Sequence, residues 1–246
     1  MSGHSKWSQI KRGKQIADLK KGNLFAKLGN AITIAARQGS GLETNFKLRI
    51  AIEKAKAINM PKETIERAIK RGTGEIKGAK IEEIIYEAFV PEGVALVIET
   101  LTDNKNRTTA ELKKILGKYK GNLAGTNSVL WMFERKGIIR ISLPLFTEKC
   151  PNKEEGMLKL IDLGTEDVKE ETGELIVYIK PENLQEVKEN LEKEELKVEY
   201  AETEWVAKDR IKIKSEKTKA DLERLFNELD EMQDVNNYFS NLENFY

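Results

Sequence analysis

The chain reads as an α+β protein of three domains: an N-terminal helical domain and two α/β domains, one of them a ferredoxin-like βαββαβ insertion. Three observations predict this. Apolar residues recur at helical spacing through the first third and then give way to runs rich in Ile, Val and Tyr. Residues 137–204 read as strand, helix, strand, strand, helix, strand. The last amphipathic segment has no sheet of its own to cover, and burial is satisfied if it returns to the earlier one.

The elements follow in order. Residues 1–16 are polar and basic, with Gly3 and Gly13, and read as a loosely ordered arm. From about Asp18, the residues Leu24, Phe25, Leu28, Ile32 and Ala35 share one helical face, and Gly39-Ser40-Gly41 stops that helix. Phe46, Ile50, Ala51, Ala55 and Ile58 mark a second helix. Pro61 suits the first turn of a third, where its missing N–H has no partner to lose. Gly72 and Gly74 end that helix, and together with Gly78 they read as a hinge between domains; their spacing is wrong for a dinucleotide fingerprint. Residues 81–90 and 94–101 form a hairpin around Pro91-Glu92-Gly93. A helix follows near 106–118, then a strand at Val129 to Phe133. The ferredoxin-like unit has strands near 138–143, 166–171, 174–180 and 197–204, and helices near 153–163 and 182–194. A last helix near 216–232 presents Leu222, Leu225, Phe226, Leu229 and Met232, and a short strand at 235–239 closes the chain. The expected domains are 1–78, 79–136 with 205–246, and 137–204.

Composition bounds the chemistry. The chain has 246 residues, 39% of them hydrophobic, enough for packed cores. No apolar run approaches the roughly 20 residues that cross a bilayer, and the start resembles neither a secretory nor an import signal, so a cytoplasmic protein is expected. One cysteine, Cys150, and one histidine, His4, cannot supply the four converging ligands of a thiolate–imidazole zinc site. A triad would have to recruit His4 from the arm, which cannot hold attack geometry. Neither catalysis nor a cofactor, metal or small-molecule substrate is expected.

The net charge of +1 conceals an asymmetry. Residues 1–75 hold 16 Lys and Arg against 6 Asp and Glu, a net +10, and the remainder carries 26 against 35, a net −9. A polyanion partner for the first part explains this; docking of the basic third on the acidic remainder is the alternative. The candidate contacts are Lys6, Lys11, Arg12, Lys14, Lys20, Lys21, Lys27 and Arg37, opposed by only Asp18 within the first forty residues. Trp7 among these cations can stack on an unpaired base, or pin the arm to the protein. On the first helix Asn23, Lys27, Asn30 and Arg37 lie opposite the apolar face, as a phosphate-tracking stripe or as an ordinary solvated face. A second candidate is Thr102 to Thr108, at a strand-to-helix junction. There Lys105 and Arg107 could strengthen an anion site at the helix N-terminus, or Asp103, Asn104 or Asn106 could simply cap it.

Several motifs carry a resemblance. The opening Gly3-His4-Ser5-Lys6-Trp7 with Ile10-Lys11, then Asn59-Met60-Pro61, Arg67-Ala68-Ile69, Tyr86-Glu87, Asp103-Asn104-Lys105-Asn106-Arg107-Thr108, Gly121-Asn122-Leu123 and Asp234-Val235, resemble the YebC/PmpR family in its own order. That family is related to the mitochondrial translational activator of cytochrome c oxidase. The resemblance implies a helical domain followed by two α/β domains. It implies either a DNA-binding transcriptional regulator acting on promoter DNA or a ribosome-associated translation factor contacting ribosomal RNA. Two departures stand out: the segment Ala88 to Glu92 lacks glycines common in the family, and Lys120 stands where a second glycine is common. The reading is a non-enzymatic regulator of gene expression that binds nucleic acid, with DNA as the leading ligand and no membrane partner. The competing readings are ribosome association, a protein-interaction scaffold, and a hydrolase with a carboxylate-bound metal.

Overall fold

The computed structural model describes residues 18–171 and 173–243, with side chains from Lys21 onward. The chain divides into two compact units, one of them Phe133–Lys208 and the other formed by the segments before and after it.

The second of these begins with three helices: α1 (Asp18–Ala36), α2 (Phe46–Ala57) and α3 (Lys62–Gly72). Leu24, Leu28, Ile32, Leu48, Ile52, Ala55, Met60 and Ile65 form their common core. Asn45 joins two of the helices. Its Oδ1 accepts the Leu48 N–H at 3.0 Å, capping α2, while its Nδ2 donates to the carbonyls of Ala35 at 2.8 Å and Gly39 at 2.7 Å. The Asn59-Met60-Pro61 motif follows from the end of α2. Asn59 takes the left-handed conformation, φ 59°. Its N–H and that of Met60 reach back to Lys56 O and Ala55 O, both at 2.9 Å. Met60 turns into the core and Pro61 opens α3. The hinge reading of the glycines is corrected at Gly72. A Cβ there would lie 2.4 Å from the Thr33 carbonyl oxygen, so its missing side chain lets α3 close against α1. Gly78 likewise receives the stem of Arg71, which a Cβ would approach to 3.1 Å.

The same unit contains an antiparallel sheet whose strands lie in the order Asn122–Leu123 (β3), Glu82–Val90 (β1), Val94–Thr102 (β2) and Val235–Ser240 (β8). Strands β1 (Glu82–Val90) and β2 (Val94–Thr102) pair over their full length across the tight turn Pro91–Gly93. Glu92 and Gly93 both take positive φ in this three-residue loop, 64° and 78°, a conformation that glycine adopts freely. Every residue of β2 is buried. It is a central strand covered on both faces, which is why its sequence runs apolar instead of alternating. Helix α4 (Lys105–Lys118) leads to the short β3 (Asn122–Leu123), which the sequence patterns missed. Helix α8 (Glu216–Glu231) returns to this sheet, as burial predicted. Leu222, Leu225, Phe226 and Leu229 pack with Leu96, Ile98, Leu112 and Leu116. The Phe226 ring stacks on Tyr238 of β8 (Val235–Ser240) at 5.1 Å between centroids.

The unit Phe133–Lys208 has the order β4 (Phe133–Ser142), α5 (Leu143–Lys149), α6 (Lys153–Asp162), β5 (Asp167–Glu171), β6 (Glu174–Ile179), α7 (Leu184–Lys193), β7 (Val198–Ala207). Its sheet is antiparallel and ordered β5-β6-β4-β7, the ferredoxin-like arrangement. Two local expectations change. Val129 to Phe133 is not a separate strand: a single helical turn, Leu130–Met132, runs into one long β4. Helix α5 was not anticipated, although Pro144 sits in its first turn, where proline is well tolerated.

Candidate nucleic-acid interface

The arm residues Lys6, Trp7, Lys11, Arg12 and Lys14, and the side chain of Lys20, lie outside the described residues. Among the described candidates, Lys21 is half-buried with its Nζ 6.0 Å above the Phe25 ring, and Arg37 is exposed at the end of α1.

The polar stripe of α1 is a correction. Lys27 is only 6% exposed, and its Nζ donates to the Asp230 carbonyl at 2.8 Å. Asn23 donates to the Glu231 carbonyl at 3.3 Å and accepts from Gln233 at 3.0 Å. The stripe is therefore a seam against the end of α8. A buried ammonium needs a polar partner, and a run of helix-terminal carbonyls supplies one together with the negative end of the helix dipole. Lys27 leaves the phosphate-contact set.

The α4 N-terminus resolves in favour of capping. Asn104 Oδ1 accepts the Arg107 N–H at 3.1 Å. Asp234, 7% exposed, accepts from Arg107 Nη2 at 2.9 Å, from the Thr108 hydroxyl at 2.6 Å and from the Thr102 hydroxyl at 3.2 Å. Arg107 also reaches Asp103 at 3.0 Å. The hydrogen bond to Asp234, followed by the charges of Asp234 and Asp103, holds the guanidinium pKa above its ordinary value. Two carboxylates beside this helix start repel a phosphate. Arg107 is a structural clasp between β2, α4 and the C-terminal segment, and Lys105 remains as an exposed cation.

What the helical bundle does expose is a set that the sequence reading passed over. Arg67, Lys70 and Arg71 stand at i, i+3 and i+4 on α3, and all three are exposed. The signal was present as three cations at one end of a segment whose acids, Glu63 and Glu66, sit at the other. The cleft of about 800 Å³ beside Arg71 does not extend this surface, because Asp103, Glu111, Glu228, Glu231 and Asp234 line it together with Arg107, Lys114 and Lys118.

Charge separates with the compact units. Phe133–Lys208 holds 12 Lys and Arg against 19 Asp and Glu, a net −7, while the rest of the chain holds 30 against 22, a net +8. Among the described residues no group of three or more His, Cys, Asp or Glu is placed to hold a metal ion, and no helix is long and apolar enough to cross a membrane.

Residues 5–75 match the model of the TACO1/YebC protein N-terminal domain, and residues 81–242 match that of the TACO1/YebC second and third domain. The chain belongs to the TACO1/YebC family. TACO1/YebC relatives include a probable transcriptional regulatory protein of Thermotoga maritima, 48% identical over 99% of this chain and 94% of its own length. One of Persephonella marina is 45% identical over 99% and 96%. A crystal structure of a conserved hypothetical protein from Aquifex aeolicus superposes with a TM-score of 0.83 at 42% identity, covering 97% of each chain. The relatives' names support a regulatory role. The TACO1/YebC motifs acquire physical content: Asn59 and Met60 terminate a helix, while Asp103 to Thr108 and Asp234 form one hydrogen-bonded clasp.

Proposed function

We propose that this chain is a non-enzymatic regulator of gene expression that binds DNA through the basic unit, using the arm cations Lys6, Lys11, Arg12 and Lys14 with Lys20, Lys21, Arg37 and the α3 face. One observation carries the reading: one compact unit holds a net charge of +8 and the other a net −7, and the positive excess lies in residues 1–75 at +10. A polyanion meets attraction on the first and repulsion on the second, which orients it before any contact forms. Ribosomal RNA is the second reading.

Salt titration tests both. Each neutralised phosphate contributes about 0.9 to the log–log slope on duplex DNA and about 0.7 on single strands. Replacing Arg67, Lys70 and Arg71 with Ala is expected to lower the duplex slope by about 2–3 on the same basis. Affinity that ignores salt, or a triple variant that binds as the parent does, removes the proposal. Tight ribosome co-sedimentation beside weak, sequence-indifferent duplex binding transfers it to RNA.

A further inference from the structure

Ile58, Asn59, Met60 and Pro61 are all that separates α2 from α3. The chain reverses within them because Asn59 takes φ 59°, a left-handed conformation that asparagine tolerates better than most residues. Ala55 before the turn, Met60 within it, and Ile65 and Ala68 after it are buried in one core with Leu28 and Ile32 of α1. Helix α1 also holds α3 through polar groups. The Thr33 hydroxyl donates to the Ala68 carbonyl at 3.2 Å, and Gly72 closes on the Thr33 carbonyl. The buried side of α3 is thus committed to α1, and the short turn ties its start to α2.

The opposite side of α3 is exposed along its length, at Lys62, Glu63, Glu66, Arg67, Lys70 and Arg71. Lys62 Nζ lies 3.6 Å from Glu66 Oε1, a pair between two exposed side chains that binds neither firmly. Positive charge is concentrated at this feature itself: residues 46–73 hold 8 Lys and Arg against 3 Glu, a net +5. Within α3 the charges are ordered, acids in the first half and Arg67, Lys70 and Arg71 in the second. Glu63 suits the first turn, where the helix dipole favours an acid. Glu66 lies a turn further on, and a surface built only to grip phosphates gains nothing from it. A surface that reads base edges does gain: a carboxylate accepts from the cytosine amino group, and a guanidinium donates twice to guanine O6 and N7.

We infer that α2, its turn and α3 work as a helix-turn-helix, in which α3 enters the major groove of duplex DNA and Glu66 and Arg67 read base edges. The inference deepens the DNA reading above and rests on it. In such a pair the second helix lies in the groove with its N-terminal residues toward the bases, while the first crosses the backbone. The major groove of DNA, about 12 Å wide, admits one α-helix. The deep, narrow major groove of duplex RNA does not, so the geometry selects DNA. Glu66 and Arg67 sit at the reading end. Lys70 and Arg71, one turn later, meet phosphates at the rim of the groove.

The test is selection by the full chain from DNA duplexes with a randomised central segment, followed by dimethyl sulfate footprinting, which reports guanine N7 in the major groove. The parent is expected to enrich a site and protect a guanine N7 within it. Arg67→Ala should bind that site on the order of 10-fold more weakly, lose the N7 protection and keep the parent's salt slope. Glu66→Gln should move the preference at a neighbouring position from cytosine toward adenine, the base whose edge an amide matches. Lys70→Ala should weaken all duplexes alike and lower the slope by about 0.9. Circular dichroism checks that each variant keeps its helices. Two outcomes overturn the inference while leaving DNA binding standing: the parent binds duplexes and enriches no site, or Arg67→Ala weakens every duplex by the same factor and leaves the footprint as it was. A parent protein that binds no duplex at low salt ends the inference and the DNA reading together.

Discussion

Lys120 adopts φ 59° one residue past the C-cap of α4, with its N–H bonded to Gly117 O at 3.2 Å and the Gly121 N–H bonded to Leu116 O at 2.9 Å. This is a helix stop that glycine fills without strain, and glycine is what the family often has there. Lys120→Gly is expected to raise stability by about 0.5–1 kcal/mol, seen as a higher urea midpoint at unchanged slope. The neighbouring position behaves in the opposite way. A Cβ on Gly121 would come within 2.5 Å of Val90 Cγ1 and 3.0 Å of the Phe89 carbonyl, so Gly121→Ala is expected to cost about 1–3 kcal/mol. Tyr119 supplies a pH signature. Burial, then the hydrogen bond to Glu228, pushes its hydroxyl up to about 12 from 10.0. A raised folded pKa contributes stability that is present below the unfolded value and lost as pH rises through the folded one. Urea midpoints should therefore fall between about pH 10 and 12, and Tyr119→Phe should flatten that fall.

Among the elements, the clasp and the α1 seam show how far tertiary partners reach. Asp234 lies 127 residues from Arg107 and 126 from Thr108 in sequence, yet its carboxylate joins both to the end of β2. Asp234→Ala removes the acceptor that two hydroxyls and a guanidinium share and leaves Arg107 with Asp103 alone, an expected loss of about 2–3 kcal/mol measured by urea unfolding. Arg107→Ala should lower stability in the same assay and leave the salt slope of nucleic-acid binding unchanged, because the guanidinium serves Asp234 and not a phosphate. The periodic helices and the hairpin were legible to within a few residues, since a repeat of 3.6 or 2 is written into consecutive side chains. The short β3 and the turn at Leu130–Met132 were not, because neither is long enough to show a period.

For the whole molecule, the insertion and the charge distribution belong together. Phe133 and Ala207 are register partners in β4 and β7, so the acidic unit enters and leaves through one antiparallel pair. Excising Phe133–Lys208 and joining Met132 to Asp209 through a short flexible linker is expected to leave a folded protein whose DNA salt slope is unchanged, as circular dichroism and salt titration would record. Loss of binding in that folded variant would assign the acidic unit a direct role in the contact.

The amino-acid sequence by itself determined the helix and strand periods, a cap among Asp103, Asn104 and Asn106, and the concentration of cations near the start. These depend on neighbouring residues or on sums over composition, which no folding event alters. Tertiary structure alone decided which polar side chains face outward. Lys27 and Arg107 read as cations open to phosphate, yet a carbonyl 203 residues away takes the first and Asp234 holds the second, while Glu87 turns inward to accept the Val129 N–H. The physical reason is range: a helix face looks the same in sequence whether water or a distant strand end covers it, and only the folded chain brings the covering group into place.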